Sequence, residues 1–220
     1  MSEASRIDSL SRSRAEEFTS ALTHGIGVVL SVAGAVFLIL RAGSSGDAWR
    51  IAGCGIFAVA LVAVYAASTL SHVTQPPWRR MFRVLDQGFI YLLIVGTFTP
   101  LALEYLRSGW WWLLLVLMWT VALGGFISKI LFRYRIDAVT IWSYLVLGWM
   151  PIIPAARYID VVPAAALWWV LIGGLCYTGG TLFLVLDYRR FHFHAIWHLF
   201  VVAGSICHFS AIFLFVACRP

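Results

Sequence analysis

The chain has 220 residues, of which 61% are hydrophobic and only 12% are charged, and its formal net charge is +6. A typical soluble protein is about half apolar and about a quarter charged. The composition therefore excludes a cytosolic enzyme and a secreted disulfide scaffold. It also excludes a nucleic-acid-binding module, because the arginines lie in short segments between long uncharged stretches.

Seven uncharged stretches divide the chain. A membrane-spanning helix needs about 20 mainly apolar residues, whereas a barrel strand would show alternating segments of about ten. We therefore predict an all-α fold, a seven-transmembrane helix bundle over residues 18–218, after a polar tail over residues 1–17. The stretches cover residues 18–40, 51–78, 87–103, 108–128, 138–156, 161–186 and 191–218.

The basic residues predict the orientation. When the loops are assigned alternately to the two sides, eleven of the sixteen Lys and Arg residues fall on the side of the N-terminus and five on the other. Because basic residues concentrate in cytoplasmic loops, we expect a cytoplasmic N-terminus and an outside C-terminus. The expected location is a bacterial inner (plasma) membrane.

Small and rigid residues predict local features of the spans. Pro100, Pro151 and Pro154 should kink or unwind the third and fifth spans. The glycine pairs at 173–174 and 179–180 should let a neighbouring helix approach the sixth span closely.

Ionisable residues at membrane depth are costly and usually face the interior of a bundle. His194 and His198 are four residues apart, so on a helix they share one face and can grip one metal ion. In the predicted topology His72 ends the second span and Asp86 begins the third, on the same side. Three histidines and an acid on three helices predict an open zinc site near the cytoplasmic face.

The motifs resemble those of the hemolysin III family, which is related to the progestin and adiponectin receptors and more distantly to the alkaline ceramidases. The resemblance covers nearly the whole chain. The motifs are Glu17-x-x-Ser20-x-x-Thr23-His24-Gly25, Ser68-x-x-x-His72, Asp86 with Ile90-Tyr91 and Gly96-Thr97-Phe98-Thr99-Pro100, and His194-x-x-x-His198.

The resemblance implies roles for these residues. His72, His194 and His198 would ligate Zn²⁺, Asp86 would hold or deprotonate water at the metal, and Ser68 would hydrogen-bond beside it. The side chains expected around the ligands, without binding the ion, are Glu17, Ser20 and His24. Two positions depart from the family pattern, since Ser20 stands where Asn is usual and Gln87 where His is frequent.

Several of these residues also have structural interpretations. Glu17 could cap the first span, and Asp86 could pair with Arg83. His24 could hydrogen-bond between helices or contact a substrate. We expect His192 and Glu104 to be interfacial, and we place His208 outside the site.

The leading functional hypothesis is a metal-dependent hydrolase of a lipid amide or ester, with a membrane lipid as substrate. One alternative is a non-enzymatic lipid sensor, or regulator of membrane homeostasis, in which zinc is structural. A pore-forming cytolysin is the other alternative, although no span carries a continuous polar stripe. The sequence leaves the oligomeric state open.

Overall fold

The computed structural model describes residues 3–107, 111–132, 138–153, 159–186 and 193–219. Within these ranges the side chains are described from residue 17 onward, except for residue 138. Every regular element in these ranges is helical. The main helices are α1 Glu3–Gly43, α2 Ala48–Val73, α3 Trp78–Tyr105, α4 Trp111–Phe132, α5 Ala138–Trp149, α6 Ala164–Val185 and α7 Phe193–Ile212.

Six helical segments are long and apolar enough to cross a membrane, namely Glu17–Gly43 and the segments built on α2, α3, α4, α6 and α7. The predicted all-helical membrane fold is therefore confirmed. The fifth predicted span contains a shorter apolar helix, Val139–Ile152. Its α-helix ends at Trp149 and continues as a 3₁₀ turn through Pro151.

The proline and glycine predictions have different outcomes. The helix of the fifth span does end next to Pro151, whereas α3 continues as a helix through Pro100. Pro154 lies outside the described residues. Helix α1 begins at Glu3, inside the predicted polar tail, so tail and first span form one continuous helix.

Neighbouring helices pack in chain order around the bundle, and α7 closes it by packing against α1. Helices α2 and α3 form the most extensive contact, and α4 packs on α3 and α5. The α6–α7 contact depends on Gly173 and Gly180. A Cβ atom at Gly173 would lie 2.3 Å from His208, and one at Gly180 would lie 2.7 Å from Phe200. One glycine of each predicted pair thus permits the close approach.

The bundle has apolar side chains on its outer surface and polar ones inside. Phe18, Leu40, Leu113 and Val139 are exposed, as expected for side chains that face lipid. The buried polar side chains include Ser20, His24, Ser68, Ser71, Thr99, His198 and Ser205. Because lipid tails offer no hydrogen bonds, this arrangement fits a membrane and not water.

A cluster of ionic side chains ties together one end of the bundle. The carboxylate of Glu104, on α3, accepts hydrogen bonds from Arg50 Nε at 3.2 Å and Nη2 at 3.1 Å. Arg219 Nη1 donates to the same carboxylate at 2.8 Å, and Arg50 Nη1 donates to the Arg219 carbonyl at 2.7 Å. Glu104 is thus more than an interfacial charge, since its side chain is only 4% exposed.

The loop before α2 lies at the same end of the bundle as Glu104. Asp47 caps α2 by accepting a hydrogen bond from the backbone N–H of Trp49 at 2.9 Å. Arg107 also donates to Asp47. This hydrogen bond holds the pKa of the Asp47 carboxyl below its ordinary value.

Glu104→Ala should destabilise the bundle strongly, because it leaves the buried guanidinium of Arg50 without its carboxylate. Breaking a buried ion pair in this way costs about 3–5 kcal/mol. We expect a lower midpoint of thermal unfolding in detergent. Arg41→Ala, at an exposed position, is the control and should leave the midpoint unchanged; equal midpoints for the two variants would contradict the prediction.

Candidate metal centre

Three histidine side chains meet at the end of the bundle opposite Glu104. His72 lies in the last turn of α2 and His194 in the first turn of α7, with His198 one turn further on. Their ring centroids are 4.6 to 5.5 Å apart. One ring nitrogen from each lies within 4.8 Å of the other two. We call this group the three-histidine centre.

The centre can hold a metal ion. Imidazole nitrogens bind Zn²⁺ at about 2.0–2.1 Å, so two ligands of a tetrahedral ion lie about 3.4 Å apart. The ring nitrogens, which lie within 4.8 Å of one another, are close to that spacing. Three protein ligands leave the fourth position of a tetrahedral ion for water or substrate, which is the arrangement of catalytic sites.

Glu17 orients the first of these rings. Its Oε2 lies 2.7 Å from His72 Nδ1, and because a carboxylate accepts, the proton sits on Nδ1. Nε2 of His72 therefore presents its lone pair, as in the carboxylate–histidine pairs of many metal sites. The alternative that Glu17 caps the first helix is wrong, since α1 begins at Glu3.

Two arginines interact with the other oxygen of the Glu17 carboxylate. Arg83 Nη2 donates to Glu17 Oε1 at 3.2 Å, and Arg79 Nη1 lies 4.0 Å from it. Arg83 thus forms its ion pair with Glu17, although it also acts electrostatically on Asp86. The sequence interpretation missed this contact, because α1 and α3 meet only in the tertiary structure.

Asp86 and Ser68 lie beside the centre. Asp86, on α3, is half-buried and interacts electrostatically with His194. Ser68 is one helical turn before His72 and is buried. Its hydroxyl lies near the Asp86 carboxyl but forms no hydrogen bond within 3.5 Å in the described part of the chain. Both side chains are therefore placed where a polar ligand at the centre could contact them.

Helix α1 contributes Ser20 and His24, and both side chains are buried. The backbone carbonyl of Ser20 faces His198. The His24 ring stacks on that of His198, with centroids 3.7 Å apart and planes 23° from parallel. All three residues predicted to surround the ligands, Glu17 included, thus contact a histidine of the centre.

A tyrosine pair extends the polar interior away from the centre. Tyr65 meets the His24 ring edge-on at 5.1 Å, and its hydroxyl donates to Ser205 Oγ at 2.9 Å. The Tyr177 hydroxyl lies 2.7 Å from the same oxygen. The sequence interpretation missed Tyr65, although its position seven residues before His72 places both on one face of α2.

The other residues considered in the sequence analysis do not belong to the three-histidine centre. His208 Nε2 donates to the Val170 carbonyl at 3.1 Å, which joins α7 to α6. The backbone carbonyl of Gln87, next to Asp86 on α3, accepts a hydrogen bond from the Tyr144 hydroxyl at 2.7 Å. His192 lies outside the described residues.

The fold and the histidine cluster together define the class of protein. The chain is an integral membrane protein made of helices, with a histidine cluster that could hold a metal at one end. The family model for haemolysin-III-related proteins matches residues 12–209. The chain therefore belongs to the haemolysin-III-related family, and the resemblance seen in its motifs is confirmed.

Curated relatives support the same assignment. The chain is 39% identical to the Hemolysin-3 homolog of Bacillus subtilis (strain 168), over 93% of this chain and 96% of that protein. It is 36% identical to Hemolysin-3 of Bacillus cereus, over 91% and 92% respectively. The human monocyte to macrophage differentiation factor is 26% identical over 93% of this chain and 86% of its own length.

Replacing any histidine of the centre should remove a bound metal. We expect about one divalent ion per purified chain, and much less in His72→Ala, His194→Ala and His198→Ala, because two ligands do not close the site. Elemental analysis measures the content. His208→Ala is the matched control, since that buried histidine lies outside the centre; wild-type content in the three ligand variants would contradict the prediction.

Glu17→Gln should weaken the metal site without abolishing it. The amide no longer attracts the proton to His72 Nδ1, and losses of this kind reduce metal affinity about 10–100-fold. Competition with a chromophoric chelator measures the affinity. Asp160→Asn, at an exposed acid before α6, should bind as the wild type does. An unchanged affinity in Glu17→Gln would show that the carboxylate does not tune the centre.

Proposed function

We propose that this protein is a zinc-dependent membrane hydrolase that cleaves a lipid amide or ester. The observation that carries the proposal is the convergence of His72, His194 and His198 on one point, with Asp86 beside them. Three imidazoles favour zinc among common divalent ions. A purely structural site is usually closed by four protein ligands, whereas a three-ligand site admits a substrate.

Each side chain has a task in this proposal. Zinc at the centre would polarise the lipid carbonyl and activate water. The Asp86 carboxylate would accept a proton from that water and return it to the leaving group. His72 would be held in orientation by Glu17. Ser68 would steady the developing oxyanion, or its hydroxyl would fix the position of His72.

The depth of the site favours a membrane lipid as substrate. Each histidine of the centre lies in the terminal turns of its helix, so the centre is near the membrane surface and not at its middle. A lipid that diffuses in the bilayer presents its amide or ester bond at this depth. Arg79 and Arg83 lie at the same end, and the assignment of loops places eleven of the sixteen Lys and Arg residues on this side, which favours a cytoplasmic location of the centre. In a bacterium the membrane would be the inner (plasma) membrane.

Asp86→Asn should abolish turnover while the metal is retained. A general base contributes typically about 10²–10⁴-fold, so we expect kcat to fall by about that factor. The assay incubates purified protein with ceramides, phospholipids and acylated amino acids, with and without chelator, and detects released fatty acid. Asp160→Asn is the matched acid control.

The same experiment separates the alternative roles. Metal-loaded wild type that cleaves none of these lipids would overturn the hydrolase and favour a sensor, in which the ion only ties α2 to α7. A cytolysin predicts leakage of a dye from liposomes, retained when all three histidines of the centre are replaced.

A further inference from the structure

The side chain of His24 has an unusual environment. It is 3% exposed, and neither ring nitrogen has a hydrogen-bond partner in the described part of the chain. An unsatisfied buried polar group costs about 1–3 kcal/mol. Such groups in natural proteins have an explanation, and a binding or catalytic role is a common one.

The position of His24 indicates what its partner is. The ring stacks on His198 at 3.7 Å and also lies near His72 and His194. Its only other described aromatic neighbour, Tyr65, meets it edge-on and uses its hydroxyl for Ser205. The His24 ring therefore lies against the three-histidine centre, and the hydroxyl of Tyr65, which bonds Ser205, does not satisfy its nitrogens.

The stacked geometry argues against His24 as another metal ligand. An imidazole binds a metal in the plane of its ring. Two rings 3.7 Å apart and 23° from parallel have their lone pairs in separate, nearly parallel planes, which disfavours convergence on one ion. His24 is also absent from the group of ligand atoms within 4.8 Å. A group that lies next to the ligands without joining them is placed to contact what the ligands hold.

We infer that His24 is a further catalytic residue, which donates a hydrogen bond to the oxygen atom of a substrate or inhibitor held at the three-histidine centre. The ligand class is a carbonyl or oxyanion group, because an imidazole N–H donates to an oxygen acceptor and the substrate of the proposed hydrolysis presents such an oxygen at the centre. Asp86 on α3 and His24 on α1 then act at the centre from two helices, Asp86 as proton acceptor from water and His24 as hydrogen-bond donor to the substrate oxygen. The inference rests on the metal centre of the proposed function.

The test uses Co²⁺-loaded full-length protein in detergent and acetohydroxamate as an oxygen-donor probe. The visible absorption of Co²⁺ reports metal binding and probe binding separately, and neither depends on turnover. His24→Phe keeps a ring stacked on His198 but removes both nitrogens. His24→Asn keeps a short polar donor. Tyr65→Phe is the matched control, because it keeps the neighbouring ring and removes a hydroxyl that bonds elsewhere.

We expect His24→Phe to bind Co²⁺ as the wild type does. It should bind acetohydroxamate about 10–100-fold more weakly, because this is the affinity that a hydrogen bond to a charged group contributes. His24→Asn should recover part of this loss, and Tyr65→Phe should match the wild type. Equal probe affinity in His24→Phe and wild type would overturn the inference. So would an equal loss in Tyr65→Phe, or loss of Co²⁺ from both His24 variants.

The two proposals fail in different ways. If the wild type binds Co²⁺ and probe but hydrolyses no lipid, the hydrolase is wrong, and the ratio between His24→Phe and wild type still decides the role of His24. If the wild type binds no Co²⁺, the metal centre is wrong and the inference about His24 falls with it.

Discussion

The structure depends on one constraint, which is that the surrounding lipid cannot satisfy hydrogen bonds. Backbone groups must be paired within each segment, so the described chain is built from helices. Polar side chains carry the same cost and turn inward, while residues such as Phe18 and Val139 face outward. The interior is consequently the place where ionisable groups can meet in a fixed geometry.

Two polar assemblies result, one at each end of the bundle. At the first end Glu104 binds Arg50 and Arg219, and the charges satisfy one another. At the other end the histidines and Asp86 gather, and several buried polar atoms, including both nitrogens of His24, have no partner within the described residues. The paired charges stabilise the fold, whereas unpaired buried polar groups leave room for a further hydrogen-bond partner. This contrast is one reason for our proposal that the histidine end receives a ligand.

The arrangement of α1, α2 and α7 determines the geometry of that end. The α6–α7 contact at Gly173 and Gly180 and the closure of α7 on α1 bring His198 against His24. Glu17 links α1 to His72 on α2. Each helix therefore contributes to the centre and also limits how far the other two can move. A rigid support of this kind keeps the three histidine side chains in position, as a functional site requires.

The sequence by itself determined the helical membrane fold, since uncharged stretches of span length admit no other structure in lipid. It also predicted that His72, His194 and His198 would share one end, because each lies at a span end and the alternation of spans decides the side. Only the tertiary structure decided that Glu17 bonds His72, that Arg83 turns to Glu17, and that His24 stacks on His198. These contacts join residues far apart in the chain, and they depend on how the helices rotate and pack, which periodicity along a single helix does not specify.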